Sequence, residues 1–345
     1  MSLYPTLPNR IKAFINLGLQ LSSIEEEEKI ALFRRAENQN AWFISASLNS
    51  AWEGLRVLLD EKNLTDWLSN YSIKDPSEPK NVGVLMAGNI PAVGFHDLLC
   101  VLISGNIASV KLSSSDSVLV LWLIDRLVAI EPGIASLVRV EEMLKNKDAY
   151  IATGSDNSAR YFTYYFGKYP HIIRSNRTSV AILTGEETDQ DLENLGVDIF
   201  QYFGLGCRNV SKVFVKSEES LIRLLTVLEK KDWTHSHHKY LNNYDYNKSI
   251  YLVNGEAHLD NGFLLVKESE DIVSPIGVLY FEKYTDESGL SNRLAAINHK
   301  IQCVVGNQSE LITEVIPFGN AQLPCPWDYA DHVDTLAFLI SLSKN

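Results

Sequence analysis

Residues 81–114 read NVGVLMAGNIPAVGFHDLLCVLISGNIASVKLSS, and this stretch decides the fold. NVGVLMAGN is a short apolar run that ends in Gly-Asn, which predicts a buried strand. PAVGFHDLLCVLISGN predicts a helix with proline at its start, and ASVKLSS predicts a second strand. A strand, a helix and a second strand in this order indicate a parallel sheet with right-handed crossovers.

The alternation of strands and helices continues along the chain. SSDSVLVLWLIDRLVAI and SARYFTYYFGKY predict helices, whereas AYIATGS and SVAILTG predict a third and a fourth strand. The second half contains the helical ESLIRLLTVLEKK and LSNRLAAINHK among the runs SKVFVK, SIYLVNG, GFLLVKES, IGVLYFEKY and IQCVVGN. The predicted fold class is α/β, with two α/β domains and an open, mostly parallel, Rossmann-like sheet in the first of them.

The chain is long enough for more than one domain, because 345 residues exceed one ordinary hydrophobic core. Its beginning reads as helices, since IKAFINLGLQL and SSIEEEEKIALFRRAENQ have helical spacing. We expect an N-terminal helical segment over residues 1–80, a first α/β domain over 81–202, a second over 203–330 and a C-terminal helix over 331–345.

Composition and charge exclude several classes of protein. The net charge of −12 disfavours nucleic acid as a partner, because phosphates bind surfaces rich in Lys and Arg. The longest apolar stretch, residues 118–130, contains Asp125 and Arg126 and is too short to span a membrane. The first residues lack the apolar core of a signal peptide, which favours a cytoplasmic location.

The four cysteines, Cys100, Cys207, Cys303 and Cys325, are widely spaced and form no CxxC pair. This spacing predicts neither a disulfide framework nor a zinc site, and it favours a reducing compartment. The tract THSHHKY over residues 234–240 is rich in histidine, but no cysteine or carboxylate set accompanies it. We read it as a polar loop and predict no metal site.

Cys207 is the candidate nucleophile. In FGLGCRNVSKVFV it follows Gly204 and Gly206 and precedes a predicted strand. Glycines allow a tight turn and close approach of a substrate to the backbone, so the thiol and its own N–H can face one substrate atom. The reactive form is the thiolate, which the nearby Arg208 would favour. The alternative is a buried structural cysteine.

Polar residues follow the predicted strands at their carboxyl ends, where open parallel sheets bind ligands. Asn89 follows the first strand and could stabilise an oxyanion or cap a turn. Lys111 ends the second strand and suits a ribose hydroxyl or a phosphate, although a solvated lysine is common there. Gly154 and Ser155 end the third strand and open a helix, whose backbone N–H groups favour phosphate.

Together and in order, these segments resemble the aldehyde dehydrogenase superfamily. AGNIP resembles the family's Pro-Trp-Asn-Phe-Pro segment, which implies that Asn89 supplies the oxyanion donor. GNIASVKLSS resembles the segment whose lysine binds the adenosine ribose, here Lys111, and ATGS resembles the Phe-Thr-Gly-Ser turn near the cofactor phosphates. GLGCRNVSKVFV resembles the nucleophile segment, with Lys212 as its basic residue. DIVSPIGVLYFEKY resembles Glu-Ile-Phe-Gly-Pro-Val and implies that Asp271 binds the nicotinamide ribose.

Within the superfamily, MAGNIPAVGFHDLLCVLISGN and VKLSS are most similar to the fatty acyl-CoA reductases. This resemblance implies a cofactor-binding domain over 81–202 and a catalytic domain over 203–330. It also implies that an acyl-CoA or acyl-carrier thioester is reduced to the aldehyde through an S-acyl Cys207 intermediate. A homodimer is a further expectation.

Two departures from the superfamily pattern bear on the chemistry. Arg174, or its neighbour Ile173, aligns with the glutamate that activates water in hydrolytic members, and neither can act as a base. Ser114 takes the place of the ribose-binding glutamate, which would repel a 2′-phosphate. NADPH is therefore favoured over NADH, although Asp116 is a carboxylate close enough to have the same repelling effect.

Three other interpretations of the sequence remain. The chain could be a cysteine acyltransferase or thioesterase without a nicotinamide cofactor, or a degenerate binding subunit without activity. It could also be an ordinary aldehyde dehydrogenase that oxidises aldehyde to acid. The joint presence of Asn89, Lys111 and Cys207 argues against a binding subunit, and the missing glutamate argues against oxidation to the acid.

Overall fold

The computed structural model describes residues 4–230, 234, 237–310, 312 and 314–342. The chain forms two compact units, of which the first is discontinuous in sequence. The first unit comprises Met1–Asn176 and Leu323–Asn345, and the second comprises Arg177–Gln322.

Four helices open the first unit and pack their apolar faces into one core. The first has proline in its first turn, where the missing N–H costs nothing, and it buries Phe14 and Leu17 completely. The fourth is capped by Asp60, whose side chain accepts the Asn63 N–H at 3.0 Å. The helices are α1 (Leu7–Ser23), α2 (Glu26–Gln39), α3 (Ser45–Leu58) and α4 (Glu61–Leu68).

A sheet of five parallel strands follows, in the order β3-β2-β1-β4-β5. Its central strands are buried, as expected of a parallel sheet covered by helices. The elements are β1 (Asn81–Leu85), α5 (Phe95–Ile103), β2 (Ile107–Lys111), α6 (Val118–Ile130), β3 (Val138–Val140), β4 (Ala149–Thr153), α7 (Asp156–Phe166) and β5 (His171–Arg174). The predicted open parallel sheet is confirmed.

Helix α5 begins at Phe95 rather than at Pro91, where the sequence places its start. Residues 91–94 form a turn instead, in which Ala92 has a φ of 57°. The strands β3 and β5 are not evident from the sequence, because each has only three or four residues.

The second unit contains a six-stranded sheet in the order β11-β6-β7-β10-β9-β8. All its pairs are parallel except the short edge pair of β8 and β9. The elements are β6 (Thr178–Leu183), α8 (Asp189–Phe200), β7 (Val210–Val215), α9 (Glu218–Leu228), α10 (His238–Asn254), β8 (Leu259–Asp260), β9 (Leu265–Glu268), β10 (Val278–Lys283), α11 (Glu287–Ile297) and β11 (Ile301–Val305). This second α/β unit is also as predicted.

Two details of the second unit correct the sequence interpretation. The boundary lies at Arg177 rather than at 203, because β6 pairs with β7 and β11 instead of joining the first sheet. Residues 249–255 (SIYLVNG), grouped above with the apolar runs, belong to the end of α10 and its C-cap, where Gly255 adopts the left-handed conformation.

The chain returns to the first unit after Gln322, so residues 323–330, which the sequence interpretation places in the second domain, belong to the first unit. Helix α12 (Thr335–Ser341) completes the core of the first unit by burying Leu336 and Leu339. Tyr329 accepts a hydrogen bond from Trp67 Nε1 at 2.8 Å. Among the residues that the structure describes, no helix is both long and apolar enough to cross a membrane.

Candidate functional site

Three neighbouring strands of the first unit end at the same edge of its sheet. Strand β1 lies between β2 and β4, and all three are parallel. Asn89 follows β1, Lys111 is the last residue of β2, and Gly154 directly follows β4. The structure therefore brings these positions, together with Ser114 and Ser155, to the edge where open α/β sheets bind ligands.

The loop that carries Asn89 is tightly constrained at its start. The Met86 N–H donates to the Lys111 carbonyl at 3.1 Å. Gly88 has no room for a side chain, because a Cβ there would lie 2.4 Å from Ser113 Oγ. The loops after β1 and β2 thus pack directly against each other, which fixes the backbone before Asn89.

Asp116 constrains the far end of the same loop. Its Oδ2 accepts the Ala92 N–H at 2.6 Å, and Ala92 has the positive φ noted above, which is uncommon for residues other than glycine. Asp116 is only 2% exposed, and this burial raises the pKa of its carboxyl to about 8. The hydrogen bond from the Ala92 amide lowers the pKa, but by less. The carboxyl therefore faces the protein interior and not a ligand at the sheet edge.

The serine-rich loop after β2 is fixed from helix α2. Gln39 Nε2 donates to the Ser114 carbonyl at 3.0 Å and to Ser117 Oγ at 2.6 Å. Its Oε1 accepts the N–H groups of Ser117 and Val118, each at 3.1 Å. Lys111 and Ser114 are both exposed at this edge, so a hydroxyl and an ammonium group are available to an anionic ligand.

Side chains of α7 pack closely against the turn after β4. A Cβ on Gly154 would lie 2.8 Å from side-chain atoms of both Ser158 and Phe162. Ser155 caps α7, because its Oγ accepts the Ser158 N–H at 3.3 Å. Asp156 and Asn157 in the first turn of this helix are exposed, and N–H groups at the start of a helix favour a phosphate.

Cys207 lies in the second unit, half-buried in the turn before β7. Tyr202 and Phe203 precede it in left-handed backbone conformations, with φ of 53° and 56°, and both are buried. Each such conformation costs about 1–3 kcal/mol, persists only where its surroundings fix it, and is frequent at functional sites. The Phe203 ring packs on His237 at a centroid distance of 4.0 Å.

Asn209 connects the Cys207 turn to the end of helix α8. Its Nδ2 donates to the carbonyls of Asp198 at 3.0 Å and Gln201 at 2.6 Å. Its Oδ1 accepts the Gly206 N–H at 2.8 Å. Asn209 is 1% exposed, so these buried bonds fix the backbone on the N-terminal side of Cys207.

Ser179 on β6 fixes the other side of Cys207. Its Oγ donates to the Cys207 carbonyl at 3.1 Å and lies 3.0 Å from Cys303 Sγ. The same oxygen accepts the Cys303 N–H at 3.2 Å. A completely buried serine therefore links the Cys207 backbone to strand β11.

Arg208, predicted as a cation beside the thiol, is directed to another segment of the second unit. Its Nε donates to the Ala321 carbonyl at 2.5 Å. Although Arg208 directly follows Cys207 in sequence, its guanidinium group binds the backbone of residues 317–322.

The segment that contains Asp271 is anchored by a buried lysine. Lys212 Nζ donates to the carbonyls of Ser269 at 2.7 Å and Asp271 at 3.2 Å, and it pairs with Glu282. Arg293 Nε donates to the same glutamate at 2.8 Å. Burial lowers the pKa of Lys212, because it outweighs the opposite effect of the negatively charged Glu282. Asp271 itself is exposed, so the network fixes its backbone and leaves the residue accessible.

Arg174 lies at the end of β5 and is 3% exposed. Its Nη1 donates to Asp97 Oδ2 at 2.7 Å and its Nη2 donates to Thr335 Oγ1 at 2.8 Å. The position that the resemblance assigns to the water-activating glutamate therefore carries a buried, ion-paired cation.

The histidines singled out in the sequence have packing roles where the structure describes them. His96 Nε2 lies 2.8 Å from the Pro326 carbonyl, and its ring contacts Trp67 and Tyr329. In the histidine tract, His235 and Ser236 lie outside the described residues. His237 Nδ1 accepts the Tyr240 N–H at 3.2 Å. Among the residues with described placement, no group of three or more His, Cys, Asp or Glu side chains could coordinate a metal.

Several solved structures share this fold. Aldehyde dehydrogenase 21 from Physcomitrella patens, in complex with succinate, is similar over 99% of this chain and 84% of that chain, with a TM-score of 0.65 and 13% identity. An aldehyde dehydrogenase from Mycobacterium tuberculosis complexed with NAD+ is similar over 89% of this chain and 74% of that chain, with a TM-score of 0.65 and 14% identity. An NADP-dependent enzyme from E. coli is similar over 91% of this chain and 77% of that chain, with a TM-score of 0.66 and 12% identity. The chain therefore has the aldehyde dehydrogenase fold.

The fold thus defines the class as aldehyde dehydrogenase-like. The family described as "Acyl-CoA reductase (LuxC)" matches residues 43–226, more than half of the chain. The chain belongs to this family, and it is an oxidoreductase of the aldehyde dehydrogenase type. No curated protein matches the sequence.

Proposed function

We propose that this protein reduces an acyl thioester, presented by CoA or by an acyl carrier, to the aldehyde with NADPH, through an S-acyl intermediate on Cys207. The observation that carries the proposal is the Cys207 turn, where Ser179 and Asn209 bind the backbone on both sides of a half-buried thiol. A nucleophile needs such fixed geometry, because small displacements of reacting atoms are costly in rate. Membership of the acyl-CoA reductase family supports the thioester substrate.

In the first step the Cys207 thiolate attacks the thioester carbonyl carbon. The new S–C bond forms, the oxyanion collapses, and the carrier leaves as its own thiolate. The family resemblance assigns the stabilisation of the oxyanion to the Asn89 side-chain amide and the Cys207 N–H. Such donors act by meeting charge that develops only in the transition state.

In the second step the acyl carbon is reduced. Bound NADPH would supply the hydride. The resulting oxyanion re-forms a carbonyl as the bond to Cys207 breaks, which releases the aldehyde and restores the thiolate without an external oxidant. The Asn89 amide would serve this second oxyanion as well.

Hydrolysis of the S-acyl enzyme would compete with reduction, and it needs a base to activate water. Arg174, at the position that the resemblance assigns to this base, would leave hydrolysis slow. The arginine is buried and paired with Asp97, so it cannot accept a proton from water. Reduction, or return to a thiol, would then be the remaining fate of the S-acyl enzyme.

Residues in each of the two units fit parts of a dinucleotide. The exposed start of α7 would bind a pyrophosphate through its backbone N–H groups. Lys111 would bind the adenosine ribose or its phosphate, Ser155 would contact the pyrophosphate, and Asp271 would bind the nicotinamide ribose. Ser114 at the edge and the interior orientation of Asp116 favour NADPH, since neither presents a carboxylate to a 2′-phosphate.

The test is NADPH oxidation with a panel of acyl-CoAs from short to long chain. Oxidation that depends on acyl-CoA would support the reductase and would define the acyl chain length. If Cys207 becomes acylated without any NADPH oxidation, the protein is a cysteine acyltransferase, and the cofactor part of the proposal is wrong.

Asn89→Ala is expected to lower kcat about 10²–10³-fold, because one oxyanion donor is worth roughly 3 kcal/mol. The reductase rate and the thermal unfolding midpoint are measured on the same protein. An equal loss of rate and stability would show that Asn89 caps its loop and does not stabilise the oxyanion.

Ser114→Glu is expected to raise the KM for NADPH at least about tenfold, because a carboxylate beside a 2′-phosphate repels it. The KM for NADH should stay the same or fall. Ser114→Gln is the matched control, since it adds the same bulk without the charge. If both variants raise the two KM values equally, Ser114 does not face the 2′ position.

A further inference from the structure

Asp198 is a buried carboxylate on α8 that binds a distant segment of the second unit. It has 0% exposure. Its Oδ2 accepts the Gly319 N–H at 2.6 Å, and its Oδ1 accepts the Ala321 N–H at 3.1 Å. Both carboxylate oxygens therefore bind the backbone of residues 317–322, which lies more than a hundred residues later in the chain.

Residues 317–322 have little freedom to leave this position. Gly319 has a φ of 87°, and a Cβ there would lie 3.1 Å from Asn194 Cβ on α8. The segment is thus packed against the helix as well as bonded to it. Its other contact is the Ala321 carbonyl, which accepts the hydrogen bond from Arg208.

The nucleophile turn is therefore connected to Asp198 by two independent routes. One runs from the carboxylate through Ala321 to Arg208, the residue after Cys207. The other runs from the Asp198 backbone carbonyl through Asn209 to Gly206, the residue before Cys207. The carboxylate therefore acts on Arg208, the residue after Cys207, and the backbone carbonyl of Asp198 holds Gly206, the residue before it, through Asn209.

We infer that Asp198 is a positioning residue for Cys207, whose carboxylate keeps the 317–322 segment and Arg208 in the arrangement that acylation of the thiol requires. This inference rests on the proposed nucleophilic role of Cys207. Asp198 does not touch the substrate in this account; it acts through the backbone on either side of the thiol.

The protonation state of Asp198 gives this role a pH dependence. Burial raises the pKa of the Asp198 carboxyl to about 6. The Gly319 and Ala321 amides and the Arg208 charge act in the opposite direction, but their effect is smaller. Above this pH both oxygens are acceptors and both amides are bound. Below it, one oxygen carries a proton and opposes an N–H donor, so one of the two bonds is lost. The contribution of Asp198 to the acylation rate should therefore be complete above about pH 6 and be lost below it.

The experiment measures the burst of 4-nitrophenolate from 4-nitrophenyl hexanoate, an activated ester that acylates a thiol without nicotinamide or CoA. Mass spectrometry confirms acylation at Cys207. In Asp198→Asn the amide nitrogen faces an N–H donor at every pH. Its burst rate at pH 7.5 should fall about tenfold to a hundredfold, and the acid limb near pH 6 should disappear. Glu193→Gln, which removes one charge from the same helix, should keep the wild-type burst rate and its fall below about pH 6.

Hydrogen exchange of the wild-type protein supplies a second measurement that needs no variant. After correction for intrinsic exchange, the amides of residues 317–322 should lose protection between pH 7.5 and pH 5, whereas those of strand β7 should not. An unchanged burst rate in Asp198→Asn, or unchanged protection of the segment, overturns the inference and leaves the proposed function standing. If the ester fails to acylate Cys207 in the wild-type protein, the proposed function and the inference fall together.

Discussion

The Cys207→Ala substitution is expected to lower NADPH oxidation with acyl-CoA by at least about 10⁴-fold, because removal of a covalent nucleophile leaves only binding and oxyanion stabilisation. The S-acyl protein should also disappear from the intact mass spectrum. Most of the proposed cofactor contacts lie in the first unit and none of them is Cys207, so NADPH binding, measured by fluorescence, should persist in the variant.

Cys325→Ala is the matched control for the loss of a thiol. Cys325 belongs to the first unit, whereas Cys207 belongs to the second, and the Cys325 variant should retain wild-type turnover. Aldehyde formation by Cys207→Ala at more than a few per cent of the wild-type rate would contradict the covalent mechanism.

The Arg174→Met substitution is expected to lower the free energy of unfolding of the first unit by about 3–5 kcal/mol, because it leaves the Asp97 carboxylate buried without its partner. The two side chains are 2.7 Å apart and only 3% and 11% exposed. Urea unfolding followed by tryptophan fluorescence reports this unit, since five of the six tryptophans of the chain belong to it.

Two further variants show whether the loss comes from the orphaned charge. Arg174→Met combined with Asp97→Leu should recover most of the stability, because apolar residues often replace a buried ion pair without loss. Arg56→Met removes one partner of an exposed pair with Glu53 and should cost less than about 1 kcal/mol. A large loss in the double variant would mean that the Thr335 bond or packing, and not the charge, dominates.

Most of the sheet edge in the first unit could be predicted from sequence, since its signals are local. Each of β1, β2 and β4 is a short apolar run that ends in polar or glycine residues. In a parallel sheet such ends meet at one edge. That is why Asn89, Lys111 and Gly154 could be placed together before any coordinates were known.

What the sequence did not reveal depends on pairing between distant residues. The run SVAIL has the pattern of a buried strand, but nothing in it specifies β7 and β11 as its neighbours. The contacts of Asp198 with Gly319 and of Ser179 with Cys207 join residues 121 and 28 positions apart. The direction of Asp116 into the protein was equally hidden, because its neighbours are all exposed or half-buried serines.

SIYLVNG shows a different reason for failure. Its apolar residues fit a strand or a helix of low amphipathicity equally well, since a short apolar run carries no clear period. In the structure Tyr251 is buried while Leu252 and Val253 are exposed, so the helix follows from its packing and its glycine cap rather than from the run itself.

The discontinuity of the first unit sets an order of events during synthesis on the ribosome. Residues 177–322 form one continuous segment, so the second unit can close as soon as it has emerged. The first unit must wait for Tyr329 and α12, which supply the bond to Trp67 and the last side chains of its core. Until then the core around α5 lacks its final cover, so a nascent chain stalled before residue 323 would present apolar surface to chaperones and proteases even though all five strands of its first sheet have been made.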